Sequence, residues 1–186
     1  MATPSGRRGS NGLLGPLCAG LVLGGVASAF GFWLLSGLAA PVWAPVRVGL
    51  IAVLVCAAVT DDTLRLGWRW PQNARQVPQR IRYREQTVAM VQFGFELGTG
   101  MRTFVTSAAP YVLIGVLVFA GLSIVEALTI GAGFGAGRAL MPVLRASHHA
   151  PGDWDRRLEH TERWLKPAAT ALTGAAAIWL SRVALW

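Results

Sequence analysis

Charge is scarce in this chain. Of 186 residues only 14% are charged against 53% hydrophobic, and nine acidic residues face seventeen basic ones, of which Lys166 alone is lysine. A soluble domain carries about a quarter charged residues, so this composition cannot coat a water-facing surface and calls for an apolar solvent. Cysteine is nearly absent. The two present, Cys18 and Cys56, both lie inside apolar runs, which excludes the disulfide framework of a small secreted domain. The three histidines, His148, His149 and His160, share one loop with Asp153, Asp155 and Glu159 in a spacing that matches no zinc pattern, so no metal is expected. There is no phosphate-binding loop, nucleophile elbow or His-Glu metalloprotease motif. No catalytic residue and no cofactor are therefore assigned, and the balance is against an enzyme.

What is present is apolar chain in lengths that suit a bilayer, where a crossing takes about 20 residues. The reading is all-α, a polytopic transmembrane bundle of about six spans, or five with a re-entrant half-helix. Residues 1–12 form a cytoplasmic tail and 13–186 a single transmembrane domain. Spans are expected at about 13–40, 46–60, 86–104, 107–122, 124–144 and 167–186. Arg7 and Arg8 precede an Ala27-Ser28-Ala29 triplet as in a cleaved signal, but the apolar run continues to Ala40, and the segment is read as a retained span.

The net charge of +8 does not point to nucleic acid, because the arginines sit in short segments between apolar runs rather than on a solvated face. The loop 61–85 is interfacial: Trp68 and Trp70 suit headgroup depth, and Arg80, Arg82 and Arg84 suit anionic phosphates. Arginine bias puts this loop and the N-terminus on the cytoplasmic side of a bacterial plasma membrane. The polar loop 145–166 conflicts with six spans, which put it outside although it holds Arg145, Arg156, Arg157, Arg163 and Lys166. Five crossings would bring it inside.

The segment from Phe93 to Tyr111 is the richest in chemistry. Glu96 and Arg102 lie within or beside an apolar stretch, where ionisable groups cost a few kcal/mol unless paired or wetted. Thr99, Thr103 and Ser107 add hydroxyls, and Gly94, Gly98, Gly100 and Pro110 allow the helix to break, as transporters build midplane sites from broken helices. The bland alternative is a structural Glu96–Arg102 pair or a snorkelling arginine. Glu126 is a weaker proton-carrier candidate, since a carboxylate near a helix start also complements the dipole. Gly131, Gly133, Gly135 and Gly137 form two overlapping small-xxx-small patterns, best read as helix packing. Cys18 and Cys56 are redox candidates should their faces meet. A faint echo links Leu23–Phe30 with Leu97–Phe104, as two three-helix repeats would produce.

Arg75-Gln76-Val77, Arg82-Tyr83-Arg84 and the stretch Gly94–Tyr111 together resemble small uncharacterised actinobacterial multi-spanning proteins, distantly similar to the CcdA/DsbD and LysE-type superfamily. The resemblance implies a compact bundle of repeated three-helix units with polar groups where helices break. Thiol shuttles of the CcdA type carry Pro-Cys motifs, whereas the corresponding stretch here is Ser107-Ala-Ala-Pro110, without cysteine. The leading expectation is a transporter-like bundle for a small solute or ion, with Glu96 as the proton- or cation-binding group and Arg102 as its partner or an anion contact. The alternatives are a thiol-electron carrier using Cys18 and Cys56, and a non-catalytic subunit. The expected partners are a bilayer with anionic headgroups and either a second copy or a partner membrane subunit.

Overall fold

A computed structural model of the chain describes residues 5–64, 85–100, 108–147 and 168–176. Among these the regular structure is entirely helical: α1 (Ser5–Ala39), α2 (Ala44–Leu64), α3 (Gln86–Gly98), α4 (Ala109–Phe119), α5 (Ile124–Ser147) and α6 (168–176). The molecule is a transmembrane-type bundle in which α1, α2 and α5 are each long and apolar enough to cross a membrane.

Its packing inverts that of a soluble protein. Leu38, Trp43, Leu172, Val125 and Val53 point outward, each more than 60% exposed, while glycine and alanine fill the contacts between helices. Hydroxyls on the outer faces return to their own helix. Thr60 donates to the Cys56 carbonyl at 2.7 Å, Thr129 to that of Val125 at 2.7 Å and Thr173 to that of Ala169 at 2.8 Å. Such back-bonding hides a donor that lipid could not satisfy.

Helix α1 is the spine. Residues four apart share a helix face, and Gly20 and Gly24 present one face to α3 while Leu21, Gly25 and Ala29 present the next to α5. A Cβ on Gly24 would lie 2.9 Å from the Gly98 Cα, and one on Gly94 would lie 3.1 Å from the Gly20 Cα. The pairs Gly20/Gly94 and Gly24/Gly98 ascend together, so α1 and α3 are parallel. On the other seam Gly25 meets Gly131 and Leu21 meets Gly135, so α5 is antiparallel to α1. Gly24 and Gly98, which hold the same place in the two segments that echo each other in sequence, thus face one another.

A second core joins α2 and α4 to α1 through Ile51, Val55, Ala58, Val112, Val116 and Ala29. Asp62 meets Ala108 and Leu54 meets Gly115, so α4 is antiparallel to α2. Thr170 and Gly174 meet Asp62 and Val55, so α6 runs with α4. Trp33 Nε1 donates to the Leu122 carbonyl at 2.9 Å, which pins the outer part of α1 to the α4–α5 turn. We call this the turn end.

These directions bear on the spans expected at about 86–104 and 107–122. Helices α3 and α4 both run the same way as α1, yet at 13 and 11 residues they measure only about 20 and 16 Å at 1.5 Å per residue. Neither alone reaches the roughly 30 Å of a hydrocarbon core. Boundaries move accordingly. Helix α2 continues past Thr60 to Leu64, and α3 stops at Gly98 instead of continuing to 104. Most of the loop 61–85, including Trp68, Trp70, Arg80, Arg82 and Arg84, lies outside the described residues, as do Arg102, Thr103, Ser107 and nearly all of loop 145–166.

Candidate functional site

The interruption between α3 and α4 is built from both sides. Helix α3 unwinds after Gly98: the Thr99 and Gly100 amides turn back to the Phe95 and Leu97 carbonyls at 3.0 and 3.2 Å, and Gly100 takes a left-handed φ of +68°. Glycine adopts that conformation without steric cost. Thr99 Oγ1 donates to the Glu96 carbonyl at 2.8 Å, and Ser28 Oγ of α1 donates to the Thr99 carbonyl at 3.1 Å. The Glu96 carbonyl in the last turn of α3 and the Thr99 carbonyl of its C-cap are thereby satisfied by hydroxyls, as a helix ending inside a bundle requires.

Helix α4 starts equally deliberately. Pro110 occupies its first turn, where a missing N–H costs nothing. Its N-cap residue Ala108 is buried and has no capping side chain of its own. The cap arrives from α2: both carboxylate oxygens of Asp62 accept from the Ala108 amide at 3.2 Å. Thr170 of α6, fully buried, donates its hydroxyl to Asp62 Oδ2 in a very short hydrogen bond. Asp61 beside it is only 8% exposed. One carboxylate therefore ties three helices together, and the partial positive charge of the α4 N-terminus stabilises it.

On the other flank α5 contributes a cation. The Arg138 guanidinium lies over the Phe134 ring with its Cζ 5.6 Å from the centroid. Both side chains reach Gly100, where an added Cβ would be 3.8 Å from Arg138 Nη1 and from Phe134. The break thus has Arg138 beside its α3 lip and Asp62 on its α4 lip.

Of the residues singled out in the sequence, Glu96 and Thr99 sit at the end of α3 as read, half-buried. Asp61, Asp62, Thr170 and Arg138 enter the site although the sequence reading gave none of them a role. The signal for the aspartates was available: the apolar periodicity of α2 continues through Val59 and Leu64, which carries both carboxylates on the helix.

Glu126 has a different occupation. Its Oε2 accepts from the Ser123 amide and the Ser123 hydroxyl, both at 2.8 Å, and its own amide points back to Ser123 Oγ at 3.4 Å. Ser123-Ile-Val-Glu126 is a reciprocal capping box that starts α5. Replacing Ser123 with Ala should lower stability by about 1 kcal/mol, the usual worth of such a cap, read as the midpoint of thermal unfolding in detergent. Glu126→Gln keeps an acceptor and should cost less; a larger loss for Gln than for the Ser123 change would contradict the capping role.

The cysteines are not brought together. Both are free, Cys56 faces outward, and α1 packs on α3, α4 and α5 but hardly on α2. Of the glycine run in α5, only Gly131 and Gly135 pack on α1; Gly133 and Gly137 have open space where a Cβ would go. Set against family models, curated proteins and solved structures, the chain matches none of them.

Proposed function

We propose that the chain is a membrane transporter-like bundle that moves a small solute or ion, with five crossings of which the third is the interrupted α3–α4 pair. The observation that carries this reading is the interruption itself: two half-helices run in one direction, and a carboxylate from α2 and a guanidinium from α5 stand at its two lips. Ionisable groups inside apolar spans are costly and mark pathways for ions and polar solutes. Half-helix ends aimed at the break supply dipoles of both signs. Five crossings also support one consistent orientation. The N-terminal arginines, loop 61–85 and loop 145–166 then share the cytoplasmic face, which removes the conflict that six spans create. The reading agrees with the LysE-type resemblance and gives no role to paired thiols.

Within this reading Asp62 carries the proton or cation, and Glu96 and Arg138 line the route to it. The test is flux in vesicles reconstituted with the full chain and loaded with a pH-sensitive dye, under an imposed pH gradient and a panel of monovalent cations and small amino acids. The native protein should dissipate the gradient with at least one of these, and Asp62→Asn should reduce that rate at least about a hundredfold, as loss of a proton-transfer group does. Glu96→Gln should reduce it less. Undiminished flux in Asp62→Asn would end the assignment, and absence of flux with every solute would favour a docking subunit.

A further inference from the structure

At the turn end, away from the interruption, the structure holds a second unexplained charge. Arg47 lies in the first turn of α2, and its Nε is buried with no hydrogen-bond partner among the described residues. A buried guanidinium N–H without an acceptor is costly, more so in the low dielectric of an apolar span. Among the described residues Glu126 is the one carboxylate at this end, and its Oε2 is held by the Ser123 capping box. Opposite the guanidinium stands Gly121, with a left-handed φ of +70°; a Cβ there would come within 3.3 Å of Arg47 Nη1. Lacking a side chain, Gly121 lets the guanidinium lie close against the turn and offers it no acceptor side chain.

Depth identifies what supplies the acceptor. Trp43, one helical turn before Arg47, is 74% exposed, and Trp33 is fixed to the same turn by its indole N–H. Tryptophans at this level mark the headgroup region of a bilayer. Arginine's planar fork matches phosphate oxygens, which accept two N–H groups at once. We infer that Arg47, packed against Gly121, binds a phosphate-class oxyanion at the membrane surface, delivered by a phospholipid headgroup or by free phosphate. This site is separate from the interruption and does not depend on the transport reading.

The test uses the full chain in neutral-detergent micelles, with its unfolding midpoint followed during titration. Three titrants are compared: a short-chain phosphatidylglycerol, the corresponding phosphate-free diacylglycerol, and sodium phosphate at constant ionic strength. The native protein should be stabilised by a phosphate-bearing titrant and not by the diacylglycerol. Arg47→Met, which keeps the apolar stem, should weaken the apparent affinity at least about tenfold, the loss of one charge-assisted interaction. Gly121→Asp sets a carboxylate against the guanidinium, at a left-handed backbone position that Asp can adopt at some cost; it should abolish the response to phosphate. Stabilisation by the phospholipid alone identifies a headgroup site, and an equal response to sodium phosphate identifies a site for the free anion. An Arg47→Met protein that responds as the native one does, or a native protein that responds to neither phosphate source, overturns the inference.

Discussion

Replacing Gly135 with Val should prevent α5 from docking, and replacing Gly133 with Ala, two residues away, should stabilise the protein. At Gly135 a Cβ would stand 2.5 Å from the Leu21 carbonyl oxygen and 2.6 Å from the Val22 Cα, both backbone atoms of α1. Backbone cannot rotate aside as a side chain does, so the helices must separate along the whole seam. Overpacking a core costs typically about 1–3 kcal/mol where side chains can adjust, and a β-branched residue between two backbones belongs at or beyond the top of that range. At Gly133 nothing lies within 4 Å. There the change from Gly to Ala removes backbone freedom from the unfolded chain and should contribute about 0.5–1 kcal/mol of stability. Denaturant unfolding in micelles, followed by tryptophan fluorescence, reads both. Opposite signs at adjacent small positions of one helix are the signature of a one-sided seam. Shifts of the same sign would mean that the α1–α5 contact is not held by glycine. Gly24→Val should behave as Gly135→Val does, since its Cβ would meet the Gly98 backbone at 2.9 Å.

How much of this was legible in the sequence depends on the kind of signal. The helical class and the need for an apolar solvent follow from hydropathy alone, because about 20 apolar residues in a row have few other uses. The break near residues 98–110 was legible too: Gly98, Gly100 and Pro110 are chemical reasons for a chain to leave a helix and restart one. The direction of the two pieces was not. A hydropathy pattern is the same whether the second half-helix turns back or goes on, and only the pairing of Gly20 with Gly94 and of Asp62 with Ala108 decides it. Gly131 and Gly135 were read correctly as packing residues, but their overlap with Gly133 and Gly137 hid which pair faces a helix and which faces outward. Gly20 and Gly24 escaped notice because a small-xxx-small pattern in one helix acquires meaning only from its partner. Asp62 escaped for a related reason: a carboxylate at the end of a span reads as the start of a loop until the helix it caps, 46 residues on in the chain, is seen beside it.

The same distance in sequence makes Asp62 the substitution with the clearest division between structure and function. Asp62→Ala removes the acceptor of the Ala108 amide and one hydrogen bond of the buried Thr170 hydroxyl. An orphaned buried donor costs about 1–3 kcal/mol and a lost hydrogen bond about 1 kcal/mol, so the substitution should destabilise by about 2–4 kcal/mol and detach the start of α4 from α2 and α6. Asp62→Asn keeps a carbonyl oxygen where the amide of Ala108 donates and an amide group near Thr170, but removes the charge that the α4 N-terminus attracts. A charge at a partly buried helix terminus is worth up to about 2 kcal/mol, so Asn should cost about 1–2 kcal/mol and leave the fold intact. Thr170→Val, nearly the same in shape, removes one donor from the carboxylate and should cost about 1 kcal/mol. Unfolding midpoints rank the three changes as Ala worst, Asn next and Thr170→Val mildest. If Asp62 only staples α2 to α4, flux through the reconstituted protein should follow that ranking, and Asn should keep most of it. If it carries a proton or cation, Asn should be folded and inactive while Thr170→Val, which retains the carboxylate, should still conduct. The pair Asp62→Asn and Thr170→Val therefore separates a cap from a carrier, because the two differ little in stability and entirely in whether an ionisable group remains at the break.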